Sequence, residues 1–302
     1  MIIALTGATG FVGQAVLDLA CAQGLEVRAL VRSPQAPRSG VEWQRGDLAD
    51  GKALARLVKG AGAVIHVAGV VNTPDPAEFE AGNVAGTKAL LAAATKAGVP
   101  RFIFVSSLSA REPGLSAYGA SKERAERLVR SSPLDWTIVR PPTIYGPRDK
   151  DVFELFRAAR WGVVPMPAKG RQSVIHVDDL ARLLLALIPG GAAVTHRCFE
   201  PDDGKRGGWS HYEFARAIGW SMGRRPTVLG LSKAWLERAA RIDRRLRGAR
   251  AKLTLDRVGY MSHPDWVADI AARVPADVWM PRIETRGGLK ATAAWYRKVG
   301  WL

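Results

Sequence analysis

Short apolar segments alternate with longer amphipathic ones over the first two-thirds of the chain. This alternation is typical of buried parallel strands connected by helices. The predicted strands span residues 2–6, 27–31, 63–67, 102–106 and 137–140. The predicted helices begin near Phe11, Lys52, Asn83 and Ala117. Because crossovers between parallel strands are right-handed, these helices are expected on both faces of one sheet.

The pattern loosens after Pro141 into Pro- and Gly-rich sequence, and a further strand and helix over 174–188 are predicted to return to the sheet. The final hundred residues hold seven of the ten tryptophans: Trp209, Trp220, Trp235, Trp266, Trp279, Trp295 and Trp301. We interpret this region as a smaller cap that covers a pocket.

A glycine-rich turn, TGATGFVG, occupies positions 6–13 between the first strand and the first helix. Its glycines permit a tight turn, a close approach of backbone to pyrophosphate and close packing of the helix on the strand. The N–H groups and positive dipole end of that helix then face the phosphates. The predicted binding residues here are Gly7, Thr9, Gly10, Phe11 and Val12, with Gly13 supplying the packing position.

The turn makes the predicted fold α/β, a Rossmann-type doubly wound parallel sheet with a smaller C-terminal substrate-binding cap. We assign residues 1–147 and 172–200 to the dinucleotide-binding domain. Residues 148–171 and 201–302 are assigned to the cap.

The end of the second predicted strand favours NADP(H) over NAD(H). An NAD site usually places Asp or Glu there, and an Arg accommodates the 2′-phosphate of NADP. Here Val31 stands at the acidic position and Arg32 follows it. The alternative, that Arg32 is a solvated surface charge, stays open.

An acid–base pair is predicted at the start of the helix AYGASKERAERLV. Tyr118 and Lys122 are four residues apart, so they share one helical face. The ordinary pKa of a tyrosine is near 10, and a nearby ammonium together with the positive nicotinamide ring is expected to lower it. Ser107, at the end of the strand FIFVSS, could hydrogen-bond the same substrate oxygen. Together these residues predict proton transfer to or from an oxygen.

The composition bears on the cellular compartment and on the class of protein. The only two cysteines, Cys21 and Cys198, are predicted to be small buried hydrophobes, which fits a reducing, cytoplasmic protein. No charged segment precedes the first strand, so no signal peptide is expected. The longest apolar run, 183–188, is too short to span a bilayer, and the histidines show no metal-ligand spacing.

The net charge of +16 is uneven, because residues 205–258 carry 14 basic and 4 acidic side chains, which leaves +10. Within this stretch, residues 232–247 form a predicted helix with an apolar stripe of Trp235, Ala239, Ile242 and Leu246 among arginines. Such a helix could lie on an anionic membrane, at its inner face, or pack its stripe on the cap. Nucleic acid is not expected, since no binding module is present and aromatic residues are not interleaved with the charges. The oligomeric state is left open.

Several segments resemble the extended and atypical short-chain dehydrogenase/reductases, the superfamily of sugar-nucleotide epimerases and 3β-hydroxysteroid dehydrogenases. They are TGATGFVG, RGDLAD, VIHVAGV, NVAGT, VSS, YGASK, RPPTIYGP and IHVDDLA, all within about the first 180 residues. The resemblance implies that Ser107, Tyr118 and Lys122 are the catalytic triad. It implies that Tyr118 and Lys122 also contact the cofactor, with further cofactor contacts by Asp47, Leu48, Ala68, Gly69, Pro141, Thr143 and Ile144. Asn83 is either a helix N-cap or an active-site group.

Two departures weaken the sugar-nucleotide reading. Only ten residues separate Ser107 from Tyr118, and Gln172 stands where those enzymes tend to have a phosphate-binding Arg. The short loop resembles the branch that includes the nucleotide-binding accessory subunit of respiratory complex I and bacterial ceramide reductase. This branch implies an NADP(H)-dependent oxidoreductase acting on a lipid-like ketone or alcohol, such as a 3-keto-ceramide or keto-sphingoid. A sugar-nucleotide epimerase or dehydratase, and a non-catalytic NADP-binding accessory protein, remain alternatives.

Overall fold

The computed structural model describes residues 1–248 and 251–302 of the chain. Arg250, one of the basic residues counted in the stretch 205–258, lies outside the described residues. Strands and helices alternate in the first part of the chain: β1 (Ile2–Thr6), α1 (Phe11–Ala22), β2 (Glu26–Val31), β3 (Val41–Arg45), α2 (Gly51–Val58), β4 (Ala61–His66), α3 (Pro76–Phe79), α4 (Gly86–Lys96), β5 (Arg101–Val105), α5 (Ala117–Arg130) and β6 (Asp135–Val139).

Shorter strands and peripheral helices follow: β7 (Thr143–Tyr145), α6 (Val152–Arg160), β8 (Val163–Pro167), β9 (Arg171–Gln172), β10 (Val174–His176), α7 (Val177–Ala186), β11 (Arg197–Phe199), β12 (Trp209–Ser210), α8 (His211–Ser221), β13 (Thr227–Leu231), α9 (Lys233–Arg247), α10 (Leu255–Met261), β14 (Asp265–Trp266) and α11 (Thr285–Lys298). No helix of the described residues is long and apolar enough to cross a membrane.

Seven strands form one parallel sheet in the order β3-β2-β1-β4-β5-β6-β11. The strand order reverses between β1 and β4. In open α/β sheets, ligands bind in the crevice outside the carboxyl ends of the strands at such a reversal. The predicted doubly wound Rossmann-type sheet is therefore confirmed, and its topology locates the cofactor crevice.

Both faces of this sheet are buried, as a parallel sheet requires. Side chains alternate along β1, so Ile3 and Leu5 face α1 and α7, and Ala4 faces α2, α4 and α5. A third apolar cluster lies outside the sheet and joins α6, α8 and α11 through residues such as Phe156, Phe214 and Tyr296. The boundaries assigned to the two domains stay a prediction.

Two parts of the strand prediction are wrong. The segment 174–176 does not join the large sheet: β10 pairs with β7, and the seventh strand of the sheet is β11. Pro141 and Pro142 lack backbone N–H groups, so the chain leaves the sheet after β6 and carries β7 away. The edge strand β3 was not predicted, because its sequence VEWQR has no apolar run.

The C-terminal tryptophans are dispersed and do not form a single pocket lining. Trp279 packs against the α1–α7 face of the sheet, and Trp209 belongs to the third cluster. Trp220 and Trp235 are exposed. Tryptophan content is therefore no evidence for an apolar pocket.

Candidate active site

The glycine turn has the close contacts that a dinucleotide site needs. Gly7 has φ +75°, and a Cβ on it would lie 2.7 Å from the Ala68 backbone nitrogen. A Cβ on Gly13 would lie 2.0 Å from the Gly7 carbonyl oxygen. Gly10 caps α1 and donates its N–H to that same oxygen at 2.9 Å. Side chains are thus excluded where the backbone must approach a pyrophosphate, so these residues fit the cofactor.

A basic cleft of about 440 Å³ lies beside the ends of β2 and β3. Its lining includes Arg32, Arg45 and Arg56. The carboxylates of Asp47 and Asp50 also line it, but both accept backbone N–H bonds of the turn and of α2. These carboxylates are therefore engaged locally, and three guanidinium groups line the same cleft, of which Arg56 donates its Nε–H to Gln44 Oε1 at 3.3 Å.

The segment after β4 brings Ala68 and Gly69 to the glycine turn. The Ala68 N–H donates to Thr6 Oγ1 at 3.1 Å, and Thr6 Oγ1 in turn bonds His66 Nδ1 at 2.7 Å. Burial, with a contribution from the Lys122 ammonium, lowers the pKa of His66 to about 3, so this imidazole is neutral at pH 7. A neutral histidine here holds the loop in place without adding a charge.

Ser107 and Tyr118 lie near each other beyond the carboxyl end of β5. The Ser107 side chain caps a short 3-10 helix, Leu108–Arg111, and lies 2.6 Å from Ser109 Oγ. Its hydroxyl is near enough to the Tyr118 phenol to lower the pKa of that group. The structure therefore brings the predicted serine and tyrosine together. Ser109 is a further hydroxyl at this point that sequence reasoning missed.

The side chains around Tyr118 do not by themselves lower its pKa as predicted, and the part that the nicotinamide ring would add stays a prediction. Burial raises that pKa above its ordinary value, and the Ser107 hydroxyl opposes the rise only in part. The phenol ring packs between Phe79 and Tyr260, with ring centroids 5.8 and 5.9 Å away. These apolar neighbours remove the water that would stabilise a phenolate, so Tyr118 stays protonated at neutral pH.

Lys122 lies on α5, one helical turn after Tyr118. Its Nζ donates to the Val105 carbonyl oxygen at 2.8 Å and sits 4.5 Å from the Phe104 ring centroid. A Cβ on Gly69 would lie 3.8 Å from this Nζ, so the ammonium borders the cofactor crevice. Burial lowers the pKa of Lys122 to about 8, although the Glu126 carboxylate opposes the shift.

Asn83 is not a helix N-cap. It lies in a π-helical segment, Glu80–Ala85, that joins α3 to α4, so the helical stretch begins before it. Its buried side chain bonds the Val70 N–H and carbonyl at 2.7 and 2.9 Å, and its Nδ2 donates to Ser121 Oγ at 2.9 Å. Asn83 therefore ties the cofactor-side loop to α5.

The segment after β6 borders the same edge of the sheet. The Pro141 carbonyl accepts the Leu108 N–H at 3.1 Å, and Thr143 and Ile144 lie on β7. Thr143 Oγ1 donates to Gln172 Oε1 at 2.8 Å. The Gln172 side chain is therefore engaged in an internal hydrogen bond, and as a neutral amide it adds no positive charge for a phosphate.

Two residues of α10 reach the site from far along the chain. Asp256 accepts the backbone N–H groups of Ala117 and Tyr118 at 2.5 and 3.3 Å, and so caps α5 at the tyrosine itself. Tyr260 of the same helix packs on the Tyr118 ring. No local motif marks these residues, because their role arises from packing between distant elements.

Within residues 1–248 and 251–302, no three His, Cys, Asp or Glu side chains cluster as metal ligands. Cys21 and Cys198 are free and half-buried, and burial raises the pKa of the Cys198 thiol to about 11.

Residues 7–189 match the model of the NAD(P)H-binding family, and the chain belongs to this family. The match covers the glycine turn, the serine, the tyrosine and the lysine, and it confirms the predicted resemblance to the epimerase/dehydratase-like reductases.

Two relatives and one solved structure are also similar to this chain. The chain is 37% identical over 313 residues to the ceramide reductase of Caulobacter vibrioides, a match that covers 100% of this chain and 96% of that protein. It is 33% identical over 225 residues to the 2-alkyl-3-oxoalkanoate reductase of Stenotrophomonas maltophilia, covering 64% of this chain and 68% of that protein. The UDP-glucose 4-epimerase of Thermus thermophilus in complex with NAD has the same fold, with a TM-score of 0.74, 21% identity and coverage of 98% and 99% of the two chains.

Proposed function

We propose that the chain is an NADP(H)-dependent oxidoreductase that reduces a ketone on a lipid-like substrate, or oxidises the corresponding alcohol. The observation that carries this proposal is the meeting of the Ser107 hydroxyl and the Tyr118 phenol beside the cofactor crevice. Two hydroxyl groups that lie near each other can together donate to a single carbonyl oxygen. Such a pair suits a reaction in which that oxygen gains negative charge.

Tyr118 acts as the general acid in the reductive direction. Its buried phenol is protonated at neutral pH, which is the form that can give a proton to the substrate oxygen. Ser107 holds that oxygen by a hydrogen bond. When bound, the reduced nicotinamide supplies the hydride that goes to the carbonyl carbon. The proton of Tyr118 then completes the alcohol, and the phenol recovers a proton from water.

We assign two roles to Lys122: it binds the ribose of the cofactor, and it supplies positive charge to the site. Its ammonium borders Gly69 in the crevice, which supports a contact with the cofactor's sugar hydroxyls. The same positive charge favours negative charge developing on the neighbouring oxygens.

Arg32, with Arg45 and Arg56, is proposed to bind the 2′-phosphate that distinguishes NADP(H) from NAD(H). The three side chains line one cleft at the end of β2, where an acidic residue would instead favour NAD(H). Guanidinium groups form strong charge-assisted bonds with phosphate oxygens.

The substrate is proposed to be a long-chain 3-keto compound, with a keto-ceramide or keto-sphingoid as the specific candidate. Aromatic Phe79 and Tyr260 surround the Tyr118 ring. Arg171, next to the Gln172 position, donates to the Gly207 and Gly208 carbonyls at 2.6 and 3.0 Å. A nucleotide diphosphate would therefore meet fewer free cations than it needs, and the full-length similarity to a ceramide reductase favours a lipid.

A direct assay tests this proposal. NADPH consumption is measured with a long-chain β-keto amide, a short β-keto amide and UDP-glucose as substrates. We expect kcat/KM for the long-chain keto amide to exceed that for UDP-glucose by at least about 100-fold. Isomerisation of UDP-glucose without net consumption of NADPH would overturn the proposal in favour of an epimerase.

A further inference from the structure

Helix α9 packs on the protein through a narrow face. Leu236 and Ala240 are buried against Val258 of α10. Asp243 also faces inward and accepts the backbone N–H groups of Lys252 and Leu253 at 2.7 and 2.9 Å. The apolar and polar side chains on the face that holds α9 in place therefore already have partners within the protein.

A second apolar stripe of α9 is left in water. Trp235 is 60% exposed, Ile242 59% and Leu246 78%, and the three recur at helical spacing along one flank. The apolar stripe predicted from the sequence is thus present on the helix, but the helix packs on the protein through a different face. Single exposed apolar residues are ordinary, whereas three large ones aligned on one helix mark an interaction surface.

Basic side chains lie along the helix beside this stripe. The helix carries six basic and two acidic residues, a net charge of +4. The acidic pair, Glu237 and Asp243, is half-buried and is paired with Arg241 and Arg247. Among the described residues, no carboxylate lies within ion-pair distance of Arg238 or Arg245, the two arginines nearest the apolar flank by helical position.

Strand β13 leads directly into α9 and also exposes apolar residues. It pairs in parallel with β8, so Leu229 lies opposite Pro165 and Thr227 opposite Val163. Val163, Pro165 and Leu229 are exposed on the outer face of this two-stranded ribbon. The arginines flanking the ribbon, Arg160, Arg224 and Arg225, are exposed as well.

We infer that α9 docks the protein on an anionic lipid surface, with Trp235, Ile242 and Leu246 in the interfacial layer and Arg238 and Arg245 at the headgroup phosphates. The composition matches that of an interfacial helix, which combines apolar burial with attraction to anionic lipids. A second copy is a poor occupant, because two helices of charge +4 repel each other. Nucleic acid would satisfy the arginines but would leave the stripe in water.

The docking helix is one helix away from the proposed acid. α9 packs on α10, and α10 supplies the Asp256 cap and the Tyr260 ring at Tyr118. If the proposed function holds, a lipid ketone would reach Tyr118 from the surface on which the protein rests. This part of the inference depends on the proposed function, whereas the docking itself does not.

Vesicle co-sedimentation of the full chain tests the docking. The vesicles are phosphatidylcholine alone or phosphatidylcholine mixed with phosphatidylglycerol, at low salt and at about 1 M salt, where the screening length falls to about 3 Å. We expect binding to the anionic vesicles at low salt, release at high salt and little binding to phosphatidylcholine alone. Equal binding to both vesicle types, or to neither, would overturn the inference.

Two sets of variants locate the surface. The triple variant Trp235→Ser, Ile242→Ser, Leu246→Ser should weaken vesicle binding at least tenfold, and Arg238→Gln with Arg245→Gln about 30-fold. The matched controls replace exposed residues elsewhere: Ile270→Ser with Val299→Ser, and Arg286→Gln with Lys290→Gln. The controls should change binding less than twofold. Wild-type binding by the α9 variants, or loss of a dimer instead of vesicle binding, contradicts the inference.

Activity separates this inference from the proposed function. All α9 variants should keep NADPH binding and full turnover of a short, water-soluble β-keto amide, which also shows that they are folded. Turnover of a vesicle-borne long-chain keto amide should fall in step with vesicle binding. Vesicle binding without any reductase activity would overturn the proposed function and leave the docking surface standing.

Discussion

The cofactor turn and the α9–α10 segment both border the candidate site, yet they reach it in opposite ways. The residues of the turn all lie within positions 6–13, although Gly7 also lies against the Ala68 backbone after β4. Asp256 reaches the Tyr118 backbone across 138 positions of the chain. We propose that the turn binds a part common to many cofactors and that the α10 residues shape the space beside the substrate. Motif spacing therefore identifies the cofactor half of the site, and only packing identifies the substrate half.

The largest effect is expected where the two halves meet. Tyr118→Phe removes the proton donor and keeps the ring that packs on Phe79 and Tyr260, so kcat should fall about 10³-fold while NADPH affinity changes little. Steady-state kinetics and NADPH titration measure both. Tyr145→Phe, a buried tyrosine outside the site, is the control and should keep its kcat. Full activity of Tyr118→Phe would remove the proposed acid.

Arg32→Gln tests the cofactor half alone. Loss of a charge-assisted phosphate contact worth about 1.5–3 kcal/mol should weaken NADPH binding about 10- to 150-fold and leave NADH binding unchanged. Arg38→Gln is a matched control, because Arg38 pairs with Asp18 at 2.8 Å and does not line the cleft. An equal loss for NADH and NADPH would show that Arg32 does not read the 2′-phosphate.

The pH dependence tests the link between the halves, since Lys122 borders Gly69 in the cofactor crevice and lies one helical turn from Tyr118. Its pKa of about 8 lies below the ordinary 10.5, so the ammonium is lost as pH rises through 8. We expect kcat/KM to fall up to tenfold per pH unit above about 8. Stability should move the other way: the unfolded state holds this proton up to pH 10.5, so the Lys122 contribution to the free energy of unfolding rises over that window. A descending limb near pH 10 would mean that the buried ammonium is not what titrates.

Asp256→Ala tests the substrate half and should have the smallest effect. Removal of the cap should lower the free energy of unfolding by about 1 kcal/mol and, because the cap acts at Tyr118 itself, reduce kcat several-fold. Glu284→Ala removes a comparable carboxylate cap from α11. It should cost similar stability and leave kcat unchanged. Equal kcat values for the two variants would assign Asp256 a structural role only.

The same division explains how much the sequence predicts. The strand–helix alternation predicts the sheet and the position of the glycine turn, because each depends on residues close in the chain. The edge strand β3 escapes prediction since its half-exposed residues show no apolar run. Asn83 looks like a cap because the helical turns before it, α3 and the start of the π-helical segment Glu80–Ala85, are short and show no apolar periodicity. The direction of the Tyr118 pKa shift depends on burial by Tyr260, which no motif reveals.

The apolar stripe of α9 shows a further limit of prediction from the sequence. Its periodicity is visible in the sequence, but a helix has several possible apolar flanks, and the pattern does not say which one packs. The structure buries Leu236 and Ala240 and leaves Trp235 and Leu246 exposed, because the short helix α10 covers a narrow part of the α9 surface.

Transfer of a labelled hydride tests the central claim most directly. The protein is incubated with a long-chain β-keto amide and NADPH that carries deuterium at C4 of the nicotinamide, on one face and then on the other. The account predicts that one of the two cofactors places deuterium on the carbinol carbon of the product, in one atom per molecule. An alcohol free of deuterium with both cofactors, or no alcohol at all, would contradict the assignment of this chain as a reductase.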